Sequence, residues 1–113
     1  MHELSLAMST VETVTRLAQQ HSANKITAIH LKIGELSCVE QDALRVGLEV
    51  AARDTIADGA RIEIKTITPQ ACCKDCQKSF QASIYLRHCP ECGSLDINIE
   101  SGNELEIDYM EVS

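Results

Sequence analysis

Along residues 4–20 the apolar positions Leu4, Ala7, Met8, Val11, Val14, Leu17 and Ala18 recur at steps of three and four, with Glu12, Arg16, Gln19 and Gln20 between them. That spacing predicts a helix with one apolar face. The polar run His21-Ser22-Ala23-Asn24 ends it. Over residues 25–33, KITAIHLKI, the period changes to two: Thr27, Ile29, Leu31 and Ile33 share one face, and Ala28, His30 and Lys32 the other. A half-buried strand follows from this alternation, and Gly34 turns the chain after it. Helical spacing returns over 39–53 with Val39, Ala43, Leu44, Val46, Leu48, Val50 and Ala51.

Asp58-Gly59 marks a turn. Residues 60–67, ARIEIKTI, alternate again with Ile62 and Ile64 on one face, and Thr68-Pro69 closes that strand. Near the C-terminus Ser101-Gly102-Asn103 is a loop signal. Residues 104–112, ELEIDYMEV, then alternate a third time, with Leu105, Ile107 and Tyr109 opposite Glu106 and Asp108. A lone amphipathic strand must bury Leu105 and Ile107 somewhere, so it is expected to return to the sheet of the first lobe.

Between the second and third strands the composition changes. Five of the six cysteines, Cys72, Cys73, Cys76, Cys89 and Cys92, fall within 21 residues. The order is therefore helix, strand, helix, strand, cysteine-rich lobe, strand: an α+β chain with a small insert near its end. The expected division is 1–69 plus 103–113 for the hydrophobic domain and 70–102 for the insert.

Cys73-Lys-Asp-Cys76 and Cys89-Pro-Glu-Cys92-Gly93 form two CxxC pairs separated by 12 residues. Two residues between cysteines let one tight turn aim both thiolates at one ion, and two such turns complete the tetrahedral shell that zinc takes, with sulfur at about 2.3 Å. Gly93 lets the chain reverse. The insert's large apolar residues (Phe80, Ile84, Tyr85, Leu86, Leu95, Ile97 and Ile99) are too few for a core of their own. Metal ligation supplies ~10–16 kcal/mol of apparent binding energy to units of this kind.

Four thiolates leave no open position for catalysis. A zinc deaminase needs H-x-E ahead of P-C-x-x-C. A redox CxxC needs one pair on a βαβ unit. The pattern therefore reads as a structural site. Cys72 competes with Cys73 as ligand, but the two-residue spacing favours Cys73. His88, beside Cys89, is expected outside the metal shell or exposed.

Acidic residues number 17 and basic ones 10, a formal net charge of -7 that four thiolates and one Zn²⁺ would carry to about -9. Such a chain repels a phosphate backbone, and aromatics at 3% leave little to stack on bases, so nucleic acid is not an expected partner. No apolar run reaches the roughly 18 residues that span a bilayer, and MHELSLAMSTVETV lacks the form of a secretory signal. The expectation is a cytoplasmic protein with reduced thiols.

The chain begins Met-His-Glu. A bulky second residue leaves Met1 in place. Its amine, the backbone nitrogens behind it and the His2 imidazole reach one ion, a nitrogen-rich chelate suited to Ni²⁺ or Cu²⁺. Glu3 adds a backbone nitrogen or a carboxylate oxygen. Spacing alone does not separate this from a frayed, solvated tail. His21 in a loop and His30 on a polar strand face read as structural. Cys38 reads as a small packed residue, or as a thiol activated at the start of a helix. Glu40 falls in the first turn of the second helix, where a carboxylate favours the dipole.

MHELSLAMS at the start, KIGELSCVE at 32–40, then CxxC, CPxCG and a C-terminal strand resemble, in that order and over the whole chain, the HypA/HybF family of hydrogenase maturation proteins. The resemblance implies two helices on a three-stranded mixed sheet, with a zinc-ribbon-like domain inserted before the last strand. It implies a metallochaperone, not an enzyme. Transferable Ni(II) is held by the Met1 amine, His2 and the Glu3 backbone nitrogen, and the acidic residue after Ser-Cys-Val falls on Glu40. Structural Zn(II) is held by Cys73, Cys76, Cys89 and Cys92. Implied partners are a HypB-type GTPase and the large subunit of [NiFe] hydrogenase. A homodimer by strand or domain exchange is open to a chain whose last strand follows a hinged insert. The competing reading is a zinc-ribbon interaction module with no transferable metal.

Overall fold

Helix α1 (His2–Gln20) leads into strand β1 (Ile26–Gly34), and helix α2 (Gln41–Ala52) into strand β2 (Arg61–Ile67). Three short strands follow, β3 (Gln70–Cys73), β4 (Ser79–Gln81) and β5 (Ile97–Ser101), and then β6 (Leu105–Val112). A computed structural model describes residues 2–113; the expected nickel ligand Met1 lies outside the described residues.

The strands form two three-stranded sheets, a mixed one in the order β2-β1-β6 and a second in the order β4-β3-β5. Strands β1 and β2 are joined through α2, the kind of crossover that parallel neighbours require. As its alternation predicts, β6 returns to the first sheet. The Ser113 amide donates to the Lys25 carbonyl at 2.9 Å and the Thr27 hydroxyl to the Glu111 carbonyl at 3.1 Å, which sets β6 antiparallel to β1.

The chain divides into two units. The first comprises 1–31, 39–64 and 107–113; the second comprises 32–38 and 65–106, which contains all of 70–102 and reaches past it at both ends. The core of the first is built from Ala7, Val11, Val14 and Ala18 of α1, Leu44, Leu48 and Ala52 of α2, and Ile26, Ala28, Ile29 and Leu31 of β1. Each of its large aliphatic side chains contributes roughly 1.5–3 kcal/mol of transfer free energy.

The buried stripes are narrower than the periodicity predicts. Leu4 and Met8 remain 42% and 58% exposed, and Val46 and Val50 remain 60% and 47% exposed. Small residues set the helix contact. A Cβ on Gly47 would lie 3.0 Å from the Ala7 Cβ and 3.7 Å from the Glu3 carbonyl oxygen. This close approach centres the seam on Ala7 and Gly47 and leaves the larger side chains at its edges. Strand β1 departs from a half-buried pattern in the other direction, because Ala28 and Ile29 are both fully buried at the centre of the sheet. On the edge strand β6 the expectation fails for Leu105, which is 42% exposed, while Ile107 is partly covered.

In the second unit two backbones cross almost in contact. A Cβ on Gly34 would fall 2.0 Å from the Gly102 carbonyl oxygen, and one on Gly102, at φ +110°, 2.7 Å from the Pro69 Cα. The Gly34 amide donates to the Glu104 carbonyl and the Leu36 amide to the Gly102 carbonyl, each at 2.7 Å. Only glycine fits here, which gives Gly34 a more demanding role than turning the chain.

Candidate metal centre

The cysteines are gathered by two turns of the same construction. In the first, the Cys73 amide donates to the Lys78 carbonyl and the Gln77 amide to the Cys73 carbonyl, both at 2.9 Å. In the second, the Cys89 amide donates to the Ser94 carbonyl at 2.9 Å and the Gly93 amide to the Cys89 carbonyl at 2.8 Å. Each turn needs a left-handed residue just after its second cysteine: Gln77 at φ 64° and Gly93 at φ 77°. Strand β3 carries Cys73 to the first turn and pairs with both β4 and β5.

The sulfurs of Cys73, Cys76, Cys89 and Cys92 all lie within 4.8 Å of one another. Cys73 and Cys92 are 3.6 Å apart and Cys76 and Cys89 3.5 Å. A tetrahedron with zinc–sulfur bonds of about 2.3 Å has edges of ~3.8 Å, so a shift of a few tenths of an ångström admits the ion. Cys73 and Cys89 are buried, Cys76 is half-buried and Cys92 exposed. Cys72 stands outside the group, half-buried, its thiol directed at the Cys73 carbonyl oxygen 3.7 Å away. His88 is exposed.

Cys76, Cys89 and Cys92 titrate as a set. Amide donation from Lys78 pulls Cys76 down, but burial and the sulfurs of Cys89, Cys73 and Cys92 outweigh it and raise its pKa to about 12. At Cys89 the Cys92 amide lowers the value to about 7; the Glu91 amide and neighbouring sulfurs assist, and burial opposes. For Cys92, the Ser94 amide lowers the pKa, yet Cys73 and burial lead a net rise. The Cys89 thiolate forms readily near neutrality, and Cys76 and Cys92 hold their protons until a cation replaces them.

At the other end of the chain, the helix begins with His2 rather than after Glu3, so His2 and Glu3 are part of α1 and not of a tail preceding it. The His2 imidazole is 60% exposed, and its Nε2 lies 2.9 Å from Glu3 Oε2. Amides in the first turn of a helix lack intrahelical acceptors. Glu40 is not within the first turn of α2. It is the N-cap, its two carboxylate oxygens accepting from the Asp42 amide at 3.2 Å and the Ala43 amide at 2.7 Å. Among the described residues the four cysteines are the one group of three or more His, Cys, Asp or Glu side chains gathered closely enough for an ion.

Cys38 is exposed at φ 59°, which overturns its reading as a packed residue. His30 has a structural role. Its Nε2 lies 2.7 Å from Glu111 Oε2, and its ring stacks on Tyr109 at 3.9 Å. Arg61 Nη2 reaches the same Glu111 oxygen at 2.9 Å. This three-strand network left no trace in the periodicity, since its members lie 50 and 81 residues apart.

The model of the family described as hydrogenase/urease nickel incorporation, metallochaperone, HypA matches residues 1–112. The chain belongs to the HypA/HybF family. A hydrogenase maturation factor HypA from Chlorobaculum parvum is 39% identical over 107 residues, 95% of each chain. A HybF from Morganella morganii is 37% identical over 111 residues, 98% of each. Among solved structures, a solution structure of a HypA protein aligns with a TM-score of 0.76 at 25% identity, covering 100% of this chain and 97% of that one. The solution structure of the nickel metallochaperone HypA from Helicobacter pylori shares the fold, with a TM-score of 0.71 at 24% identity and coverage of 97% and 96%. HypA-type proteins are metallochaperones of hydrogenase maturation and not enzymes. No helix among the described residues is long and apolar enough to cross a membrane.

Proposed function

We propose that this chain carries Ni(II) as cargo in a chelate at its N-terminus and passes it to the large subunit of a [NiFe] hydrogenase in the cytoplasm, working with a HypB-type GTPase. The Met1 amine, the His2 nitrogens and the Glu3 backbone nitrogen hold the cargo, and Glu40 is the acidic group assigned beside them. Zn(II) belongs to Cys73, Cys76, Cys89 and Cys92, where it fixes the shape of the second unit. The observation that carries the reading is the match over residues 1–112 to a nickel-incorporation family in a chain whose second residue is an exposed histidine.

A chelate of this sort suits transfer. It is local and open, so an incoming thiolate displaces its nitrogens one at a time. Binding requires neutral imidazole and deprotonated amine. With ordinary pKa values near 6.5 for histidine and about 7.7–8.0 for an α-amine, affinity falls in acid. Cu(II) outranks Ni(II) for such donors, so selectivity rests with metal supply and the docked recipient.

The test is nickel titration of the full chain with its native amine, with one alanine added before Met1, and with His2→Ala. Both changes are expected to remove nickel binding while zinc content and circular dichroism stay unchanged. Equal affinity in all three overturns the N-terminal chelate, and a parent chain that binds no nickel at all leaves a zinc-ribbon interaction module.

A further inference from the structure

The two cysteine turns are tied to each other by a polar strap that contains none of the four sulfurs. Asp75 sits between Cys73 and Cys76, and Ser94 follows the second pair. The Ser94 hydroxyl donates to Asp75 Oδ2. The same Ser94 oxygen accepts from the Asp96 amide at 3.0 Å, and the Asp96 carbonyl accepts from the Lys74 amide at 2.9 Å. Lys74 Nζ stands 3.8 Å from Asp96 Oδ1. A ring of hydrogen bonds thus runs from the first cysteine turn to the second and back. Ser94 also belongs to the second turn itself, because its carbonyl accepts from the Cys89 amide at 2.9 Å.

From this geometry we infer that Asp75 and Ser94 are positioning residues that hold the two thiolate pairs face to face and thereby slow the loss of metal from the four-sulfur centre. This rests on the reading that the cysteines bind zinc. The physical reasoning is direct. A zinc ion leaves a tetrathiolate when one pair swings away from the other, since each pair is held rigid by its own turn. The strap spans the two turns, so it opposes that motion and no other. Asp75 is exposed and Ser94 half-buried, which puts the bond where truncation leaves no cavity. The assignment also accounts for an aspartate beside a centre whose zinc form carries two net negative charges: its carboxylate is engaged by a hydroxyl. Partners bonded directly to the ligands alter metal affinity by roughly 10–100-fold when removed; the strap acts one bond further out, on the turns that carry the sulfurs, which sets its effect at the lower end of that range.

The experiment uses the full, zinc-loaded chain and follows zinc transfer to a chromogenic chelator present in excess. Asp75→Ala and Ser94→Ala are each expected to release zinc about tenfold faster than the parent chain. The double variant should be no faster than Ser94→Ala alone, because that change already removes the bond to Asp75 together with the one from the Asp96 amide. Ser94→Thr keeps the hydroxyl and should restore slow release. Asp75→Asn keeps an acceptor and removes the charge, so slow release there assigns the effect to the hydrogen bond. Cobalt-substituted protein should show the same four-sulfur absorption in every variant. Unchanged release in Asp75→Ala and Ser94→Ala, or effects that multiply in the double variant, overturns the inference. A parent chain that holds no zinc would instead overturn the reading beneath it.

Discussion

The sulfur centre and the proposed nickel site at the N-terminus differ in how much of each the fold assembles. Four sulfurs are brought within 4.8 Å of one another by two hydrogen-bonded turns and three strands. At the N-terminus, His2 lies beside Glu3 on the first turn of α1, and Glu40 spends both its oxygens on the cap of α2. On the proposed reading, the contrast separates a residence from a handling point. A site assembled by the fold binds its ion with the fold's own free energy and releases it slowly. A site of local donors holds an ion only as firmly as those donors do, and gives it up to a better set.

The widest test of this contrast is to withdraw metal from the sulfur side. Removing one thiolate by Cys76→Ser, or stripping zinc with a strong chelator, forfeits most of the ~10–16 kcal/mol that such binding supplies. The second unit should lose its ordered amide signals while the α1–α2 core of the first retains its own. Coincident unfolding of both would show that the units are not independent. Acid acts in the same direction. The zinc proposed for this centre must displace protons from Cys76, held up at about 12, and from Cys92, also raised. Cys89, at about 7, regains its own proton as the pH falls through neutrality. Zinc affinity therefore rises with pH.

These shifts imply two opposing trends in the metal-free unit. The raised Cys76 value gives it a stabilising contribution complete below the ordinary thiol value of 9.0 and lost as the pH climbs toward 12. The lowered Cys89 value gives one complete above 9.0 and lost as the pH falls through 7. Zinc-loaded protein should thus outlast the stripped form by a margin that widens with pH, read as the difference between their unfolding midpoints.

How much of this was legible in the chain depends on the range of the interactions. The order of α1, β1, α2, β2 and β6 follows from local periodicity, and the return of β6 from a residual apolar face that no neighbour in sequence covers; the short strands β3, β4 and β5 of the cysteine lobe carry too few alternating residues to be predicted and form a second sheet. The cysteine pairs declare themselves by spacing. What spacing hides is nonlocal. Nothing along the chain relates Asp75 to Ser94, or His30 to Arg61 and Glu111, since each partner is an ordinary surface residue until the fold sets it opposite the other. Likewise Leu4, Met8 and Val46 obey helical spacing yet stay exposed, because the width of the buried stripe is decided by Gly47 and Ala7 across the seam.

A smaller effect sharpens the N-terminal side. Glu40 is both the family's candidate acidic group and the cap of α2. Glu40→Ala removes both roles at a cost near ~1 kcal/mol of stability, whereas Glu40→Ser keeps a capping oxygen and removes the carboxylate. If Glu40 acts on nickel, the two variants should weaken nickel binding equally while only the alanine lowers the melting temperature. Should nickel affinity instead follow melting temperature, its contribution is the cap alone.

The finest comparison lies within the sulfur centre, between its two turns. They share one hydrogen-bond pattern, but the left-handed position is glycine in the second, Gly93, and Gln77 in the first. A side chain at φ 64° crowds its own carbonyl, at roughly 1–2 kcal/mol. Glycine relieves this but loses more backbone entropy on folding. The expected balance for Gln77→Gly is a gain of about 0.5 kcal/mol, since the native φ lies where glycine is unstrained. The gain should appear as a raised melting temperature of the zinc-loaded protein with nickel affinity unchanged. A lowered melting temperature would mean that the Gln77 side chain makes contacts worth more than the strain, and that the two turns match in backbone alone.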